Sequence, residues 1–183
     1  MTSMTGHRST SPKIRWRGGV IAAMAALLLS IPVACGDDAS AGPVLANSHD
    51  SASALAESVL RAIARDDPEA LRSAMVTREE YQELFWPELP ESDDMTFEAA
   101  WQMNEANSRN SRNGVMADFG GTEFELVSIE FAGGSEEYPS FTVHFDTKVV
   151  VRRVSDGQIG TLEVLSVVAE RDGRWKALNF HDD

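Results

Sequence analysis

The stretch of sequence that decides the fold is FTVHFDTKVVVR, residues 141–152. Its apolar side chains recur with a period of two, at Phe141, Val143, Phe145, Val149 and Val151. The polar positions between them include His144, Asp146, Lys148 and Arg152. Because successive side chains of a strand point to opposite faces, this alternation predicts a strand with its apolar side on the core and its polar side in solvent.

Further strands are predicted on both sides of this one. Residues 123–131 precede it, and residues 159–170 and 174–180 follow it. The dipeptide Asp172-Gly173 is typical of a tight hairpin turn, and Asp156-Gly157 gives the same signal one connection earlier. The second half of the domain is therefore predicted to be an antiparallel sheet of about four strands.

Helical signals fill the stretch before the sheet. Apolar residues recur at helical spacing after possible N-caps at Asp50 and Ser51, namely Leu55, Val59, Ala62 and Ile63. Asp67 followed by Pro68 starts a second helix, since aspartate caps a helix and proline suits its first position. This second helix is expected to carry its apolar stripe through Leu71 and Met75.

Two more helices are predicted before the first strand. Thr77 and Glu80 have the spacing of a capping box, and the helix that they start is expected to end at residues 86–90, which contain two prolines. Thr96 caps a fourth helix, which carries Phe97 and Trp101 and is expected to end in the polar residues 107–113. Helices followed by consecutive strands predict an α+β fold with the helices on one face of the sheet.

Charge and cysteine content exclude several classes of function. The chain has 183 residues, with 29 acidic and 16 basic side chains and a formal net charge of -13. Since no basic run could displace counterions from a phosphate backbone, nucleic-acid binding is excluded. The single cysteine, Cys35, cannot form an internal disulfide, and the anchoring role considered below excludes it as a nucleophile.

Residues 1–34 have the layout of a secretory signal peptide. A basic start with no acidic residue is followed by an apolar run over residues 18–31 and an ending of small residues. The ending IPVAC, residues 31–35, resembles the lipobox of bacterial lipoproteins, although Pro32 stands where leucine is usual. The resemblance implies that Cys35 becomes a lipidated N-terminus, carrying a diacylglyceryl thioether that holds the protein on a cell-envelope membrane, outside the cytoplasm.

Two alternatives to this anchor remain open. The apolar run could be kept as a signal anchor, or a peptidase could cut after Ala39-Ser40-Ala41 and release a soluble protein. On the lipoprotein interpretation, residues 1–34 are the signal peptide and residues 35–50 are the lipidated cysteine and a flexible tether. Residues 51–183 then form the α+β domain.

Two segments of this domain resemble the nuclear-transport-factor-2-like superfamily. SVLRAIARDDPEALR, residues 58–72, is similar to its opening helices, and SVVAERDGRWKALNF, residues 166–180, is similar to its last hairpin. The resemblance implies a cone, in which a curved sheet wraps around helices and often encloses a pocket. It implies no single activity, because that fold hosts enzymes, binding proteins and assembly factors.

Four residues are candidates to line the mouth of such a pocket: Trp101, Asn104, Trp175 and Asn179. The competing interpretation is that both tryptophans are core residues. His144 and Asp146 could form a base and its orienting group or two metal ligands, but a solvent-facing strand surface explains them better. The sequence contains no recognisable cofactor or metal motif and no catalytic set around Tyr81 or Tyr138.

The sequence therefore favours a non-catalytic lipoprotein whose domain binds a ligand or a partner protein. One alternative is an enzyme with a small pocket, of lyase or isomerase type, which a titratable group with a perturbed pKa inside the pocket would favour. The other is a structural or assembly module, which a filled interior and a large exposed apolar patch would favour.

Overall fold

A computed structural model describes residues 44–180 of the chain. The predicted signal peptide, Cys35, the alternative cleavage position and the first part of the predicted tether lie outside the described residues.

Within residues 44–180, four α-helices precede the sheet: α1 (Ala52–Ala64), α2 (Pro68–Ser73), α3 (Arg78–Glu80) and α4 (Phe97–Phe119). A π-helix (Tyr81–Phe85) and two 3-10 helices (Trp86–Glu88 and Pro90–Asp93) connect α3 to α4. The four predicted starts are confirmed, because the side chains of Ser51, Asp67, Thr77 and Thr96 each accept a hydrogen bond from a first-turn amide. Thr77 and Glu80 form the predicted capping box.

The prediction that α2 continues through Met75 is wrong. The helix ends at Ser73, and Met75 instead forms an isolated parallel bridge with Ala177. The Val76 amide then donates to the Ala177 carbonyl at 2.9 Å. Met75 is buried because the chain leaves the helix to follow the last strand.

The predicted end of α4 near residue 107 is also wrong, since the helix runs to Phe119. The buried side chains of its middle turns are polar: Ser108, Ser111 and Arg112. Ser108 Oγ lies 3.1 Å from Asn179 Oδ1, and the Arg112 guanidinium donates to the Met75 sulfur at 2.9 Å. Hydrogen bonds satisfy the buried polar groups on this face of α4. The sequence therefore shows no run of apolar residues at helical spacing there.

The sheet is antiparallel, as predicted, and has one more short strand than expected. Its strands are β1 (Phe124–Phe131), β2 (Ser135–Glu137), β3 (Thr142–Arg153), β4 (Ile159–Arg171) and β5 (Arg174–Phe180). The order is β1-β3-β4-β5, and β2 pairs with the start of β3 beyond the end of β1. The β4–β5 turn has both Asp172 and Gly173 at positive φ, which confirms the predicted tight hairpin.

The turn between β3 and β4 is longer than the predicted two residues. It occupies residues 154–158, and within it Gly157 has a positive φ of 71° whereas Asp156 does not. The Asp156 carboxylate accepts from the Gln158 amide at 3.1 Å and closes this wider turn.

The backbone of β3 changes the face on which its residues lie at Asp146, which has a left-handed φ of 49°. Just beyond it, the pairing with β4 shifts register between Thr147 and Val149, where β4 contains one extra residue. The regular alternation predicted from residue 141 to residue 151 is therefore interrupted. Val143 and Val149, which the sequence placed on one face, belong to two separate hydrophobic cores.

These two cores lie on opposite faces of the sheet. The α1 core packs Leu55, Val59 and Ile63 of α1 against strand residues such as Val168. The π-helix core packs Leu84 and Phe85 against strand residues such as Ala169, which is the chain neighbour of Val168. The prediction that all helices cover one face is therefore wrong for this part of the sheet.

Residues 45–50, here called the strap, are docked on the domain rather than part of a free tether. Leu45 is 3% exposed in the π-helix core. His49 and Trp175 exchange backbone hydrogen bonds of 3.0 and 2.8 Å, so the strap pairs briefly with β5. The packed domain therefore begins at Leu45, and not at Ser51 as predicted.

Candidate functional site: a pocket between α4 and the sheet

A pocket of about 540 Å³ opens on the sheet face that carries the π-helix core. Its walls come from the π-helix, the 3-10 helix at Pro90, α4 and the β2 region. The lining residues are Tyr81, Leu89, Pro90, Glu91, Asn104, Asn107, Glu136, Tyr138, Val143, Phe145, Val167, Leu178 and Asn179.

The floor of the pocket is apolar and is built by three neighbouring strands. Val143 and Phe145 come from β3, Val167 from β4 and Leu178 from β5. Phe145 and Val167 are directly paired across the sheet, so their side chains lie on the same face. This surface continues the π-helix core: Val143 is buried in that core, and the other three side chains are half-buried beside it.

Amide groups approach this floor from one side. Asn104 and Asn107 are three residues apart on α4 and share a helix face, and Asn179 comes from β5. Ser108 Oγ lies 3.3 Å from Asn104 Oδ1 as well as 3.1 Å from Asn179 Oδ1. The buried hydroxyl therefore fixes two of the amide groups relative to each other.

Two phenols complete the polar wall. Burial raises the pKa of Tyr138 to about 12, with a hydrogen bond to the Glu136 carboxylate as the next contribution. Burial also raises the pKa of Tyr81, and the nearby Glu91 carboxylate adds to this. Both phenols therefore stay protonated at neutral pH and act as hydrogen-bond donors. The Tyr138 ring is fixed by stacking on Phe141, with 4.6 Å between ring centroids.

The structure brings together two of the four predicted pocket residues, Asn104 and Asn179. Trp101 lies beside the pocket in an aromatic cluster, 5.8 Å from Tyr81 and 6.5 Å from Phe97 between ring centroids. It also lines an adjacent depression of about 470 Å³. Trp175 lies on the opposite face of the sheet, packed against the α1 core.

His144 stacks on Trp175 and does not lie on the solvent-facing strand surface that the sequence predicted. The three rings of Phe131, His144 and Trp175 are nearly parallel, with centroids 4.3 to 5.9 Å apart. Its Nδ1 lies 2.6 Å from Ser135 Oγ, and burial lowers the pKa of its imidazole. The left-handed backbone at Asp146 is the physical reason, because it places His144 on the same face as Val149.

His144 and Asp146 do not form the base-and-orienter pair considered from the sequence. Asp146 is exposed, and its carboxylate lies 3.9 Å from the ammonium of Lys148. Within residues 44–180, no group of three or more His, Cys, Asp and Glu side chains could hold a metal ion. In the same part of the chain, no helix is long and apolar enough to cross a membrane.

A larger groove of about 700 Å³ lies between the second half of α4 and the start of β4. It exists because β5 pairs with β4 only as far as Leu165, so residues 159–164 have no β5 partner. Its polar groups, among them Asn110 and Glu163, are exposed around side chains of the α1 core. The 540 Å³ pocket is the better candidate site, since its amide and phenol groups surround an apolar floor of buried and half-buried side chains.

No protein-family model matches the chain, and neither a curated protein nor a solved structure matches it. The pocket therefore has to be interpreted from its own chemistry. Sequence reasoning missed Glu91, Glu136 and Tyr138 as lining residues. The sequence predicted no strand between residues 131 and 141, and the pairing of β2 with β3 is what places Glu136 and Tyr138 at the wall.

Proposed function

We propose that this protein is a membrane-anchored envelope lipoprotein whose α+β domain binds a small, partly apolar ligand without chemically changing it. The observation that supports this most is the pocket, in which amide and phenol groups surround an apolar floor. Its volume of about 540 Å³ falls in the usual range for small-molecule sites, roughly 300–1,000 Å³. The anchoring part of the proposal rests on the sequence around Cys35.

The domain also belongs, in this proposal, to the nuclear-transport-factor-2-like class. The order of helices followed by antiparallel strands supports it, as does a pocket between a long helix and the sheet. This class would account for a binding pocket on a small domain, but it specifies no ligand.

A non-catalytic role is favoured because the pocket offers few groups that transfer protons at neutral pH. Its phenols have raised pKa values, and the half-buried His144 lies on the other face of the sheet. One observation favours the alternative of a small-pocket enzyme: Tyr138 and the Glu136 carboxylate are hydrogen-bonded inside the pocket. The open pocket argues against the third alternative, a structural or assembly module with a filled interior.

Photoaffinity labelling of the full-length protein tests this function. The probe is a diazirine derivative of 4-phenylbutanol, which is neutral and has an apolar body, and the protein is reconstituted in phosphatidylcholine vesicles. We expect cross-links, mapped by mass spectrometry, in the peptides that contain Tyr138 and Leu178. The variant Val167→Trp fills the floor and should reduce this labelling about tenfold, because the indole occupies the space of the ligand.

Val127→Trp is the matched control, since Val127 is a 48% exposed valine on β1 outside the pocket. It should leave the labelling pattern unchanged. Circular dichroism spectra of both variants show whether the fold is kept. Labelling that is spread over the surface, or that survives Val167→Trp in a folded protein, contradicts the proposed pocket.

A further inference from the structure

The charged residues that line the pocket all have the same sign. They are Glu91 and Glu136, and the described lining contains no lysine, arginine or histidine. The nearest cation along the β5 part of the floor is Lys176, two residues before Leu178. Its ammonium is buried at 2.8 Å from the Glu80 carboxylate and also donates to the Ala46 carbonyl at 2.7 Å. This cation is already paired and does not offset the two pocket carboxylates.

The Glu91 and Glu136 carboxylates both influence the pKa of phenols that line the pocket. Glu91 contributes to the raised pKa of both Tyr81 and Tyr138, and Glu136 contributes to that of Tyr138. Their fields therefore overlap within the pocket, where they disfavour any added negative charge. Both carboxylates are exposed at the pocket rim, so solvent screens part of their repulsion of an anionic ligand, but no basic group in the described lining balances it.

The aromatic side chains add to this preference. Tyr81, Tyr138 and Phe145 are among the lining residues, and the faces of aromatic rings attract organic cations. The floor of Val143, Val167 and Leu178 favours an apolar body at the same time. The pocket thus combines an apolar surface with a rim that favours positive charge.

We propose that the ligand of this pocket is a small organic cation with an apolar body, such as an alkylated or aromatic amine. The apolar body lies on the strand floor, and the ammonium lies between the Glu91 and Glu136 carboxylates and the tyrosine rings. This inference rests on the proposed function, because it names the chemical class that the pocket selects.

Competition against the neutral photoaffinity probe tests this class. Three competitors share one apolar body and differ in head charge: 4-phenylbutyltrimethylammonium, 4-phenylbutanol and 4-phenylbutyrate. Phosphatidylcholine vesicles carry no net charge, so the membrane surface does not electrostatically favour the ammonium compound over the carboxylate. We expect half-maximal competition by the ammonium compound at a concentration about tenfold below that of the alcohol, and the weakest competition by the carboxylate.

The variant Glu91→Gln/Glu136→Gln keeps the side-chain shapes and removes both charges. It should abolish most of the tenfold preference for the ammonium compound over 4-phenylbutanol. The matched control is Glu130→Gln/Glu137→Gln, which removes two exposed carboxylates outside the pocket and should keep the preference. Raising the ionic strength should reduce the preference only modestly, since the carboxylates lie at the binding site itself.

The outcomes separate the two proposals. If the alcohol competes as well as the ammonium compound, or if the control variant loses the preference as fully as the pocket variant, the cation proposal is overturned while the pocket stands. If the cross-links are spread over the surface, or survive Val167→Trp in a folded protein, both proposals are contradicted. A preference that only the pocket carboxylates remove supports both.

Discussion

Among single residues, Lys176 and Glu80 form the most deeply buried ion pair in the described part of the chain. Their side chains are 1% and 9% exposed, and the ammonium lies 2.8 Å from the carboxylate. The carboxylate also accepts from the Ala46 and Thr77 amides, at 2.6 and 2.7 Å. Removing two charges from water is costly, and the additional hydrogen bonds are what make this burial tolerable.

Replacing one member of this pair should be strongly destabilising. The variant Lys176→Met leaves the Glu80 carboxylate buried without its partner cation. We expect the free energy of unfolding to fall by about 3–5 kcal/mol, measured by urea denaturation.

Lys148→Met is the control, because Lys148 is 37% exposed and lies 3.9 Å from Asp146 in a surface pair. It should change the free energy of unfolding by less than about 1 kcal/mol. The double variant Lys176→Met/Glu80→Gln should recover part of the loss, since no unpaired charge then remains. Equal effects of Lys176→Met and Lys148→Met would contradict the buried-pair interpretation.

The sequence predicted one role of Glu80 and missed the other. Its spacing from Thr77 is a local signal, and the capping box follows from that signal alone. Its pairing with Lys176 joins residues 96 positions apart. That contact depends on where β5 lies relative to α3, which no local pattern contains.

At the scale of elements, the strap has a larger role than its composition indicates. It is rich in small and polar residues, which is typical of a tether. Leu45 is its one large apolar side chain, and it is buried beside Phe85 and Phe141 in the π-helix core. Arg174 holds the other end, donating to Ser48 Oγ at 3.0 Å and forming an ion pair with Asp50.

Leu45→Ala should therefore release the strap. We expect the free energy of unfolding to fall by about 2–3 kcal/mol, because a buried leucine side chain is lost. Hydrogen exchange at the His49 and Trp175 amides should accelerate, since these amides pair only across the strap and β5. Val44→Ala is the adjacent control; Val44 is 69% exposed, and the change should affect neither quantity.

Slow exchange at these two amides in Leu45→Ala would mean that the backbone pairing holds the strap without its apolar anchor.

The limits of element prediction are clearest in α4 and β3. The polar inner face of α4 carries Ser108 and Arg112, whose hydrogen-bond partners lie on other elements. The interruption of the alternation in β3 occurs at one residue, Asp146, which has a positive φ. Aspartate tolerates that conformation better than most residues, but nothing in the alternating pattern required it there. Asn104 and Asn179 could be predicted as pocket residues, whereas Tyr138 could not.

At the scale of the whole described molecule, the free energy of unfolding should depend on pH through two histidines. Burial lowers the pKa of both His49 and His144, and for His49 the positive charges of Arg61, Arg174 and Lys176 add to the effect. For His144, the Glu170 carboxylate opposes the shift without reversing it. Both imidazoles are therefore neutral in the folded protein at pH 7.

The sign of the pH dependence follows from these directions. An unfolded histidine binds a proton near pH 6.5, whereas the folded protein binds it only at lower pH. The unfolded state thus holds more protons between the lowered pKa and about 6.5, and stability rises with pH across that window. We expect the urea midpoint to fall as the pH is lowered from 7 to 5.

His144→Phe should keep the ring stack and flatten part of this dependence. Measuring urea midpoints for both proteins at several pH values tests the assignment. A midpoint that does not change between pH 5 and 7, or a slope that His144→Phe leaves unaltered, would contradict the proposed role of that imidazole.

The pairing of the strap with β5 has a consequence for the order in which the domain is completed. The residues that meet there, such as Ser48 and Arg174, are 126 positions apart, and Ala46 and Lys176 are 130 apart. Closing so long a loop costs about 4 kcal/mol of chain entropy. Because a polypeptide is made from its N-terminus, the first packed segment must wait until the last strand has emerged. The strap is thus the first packed segment of the domain to be synthesised, but it cannot dock until β5 has been made.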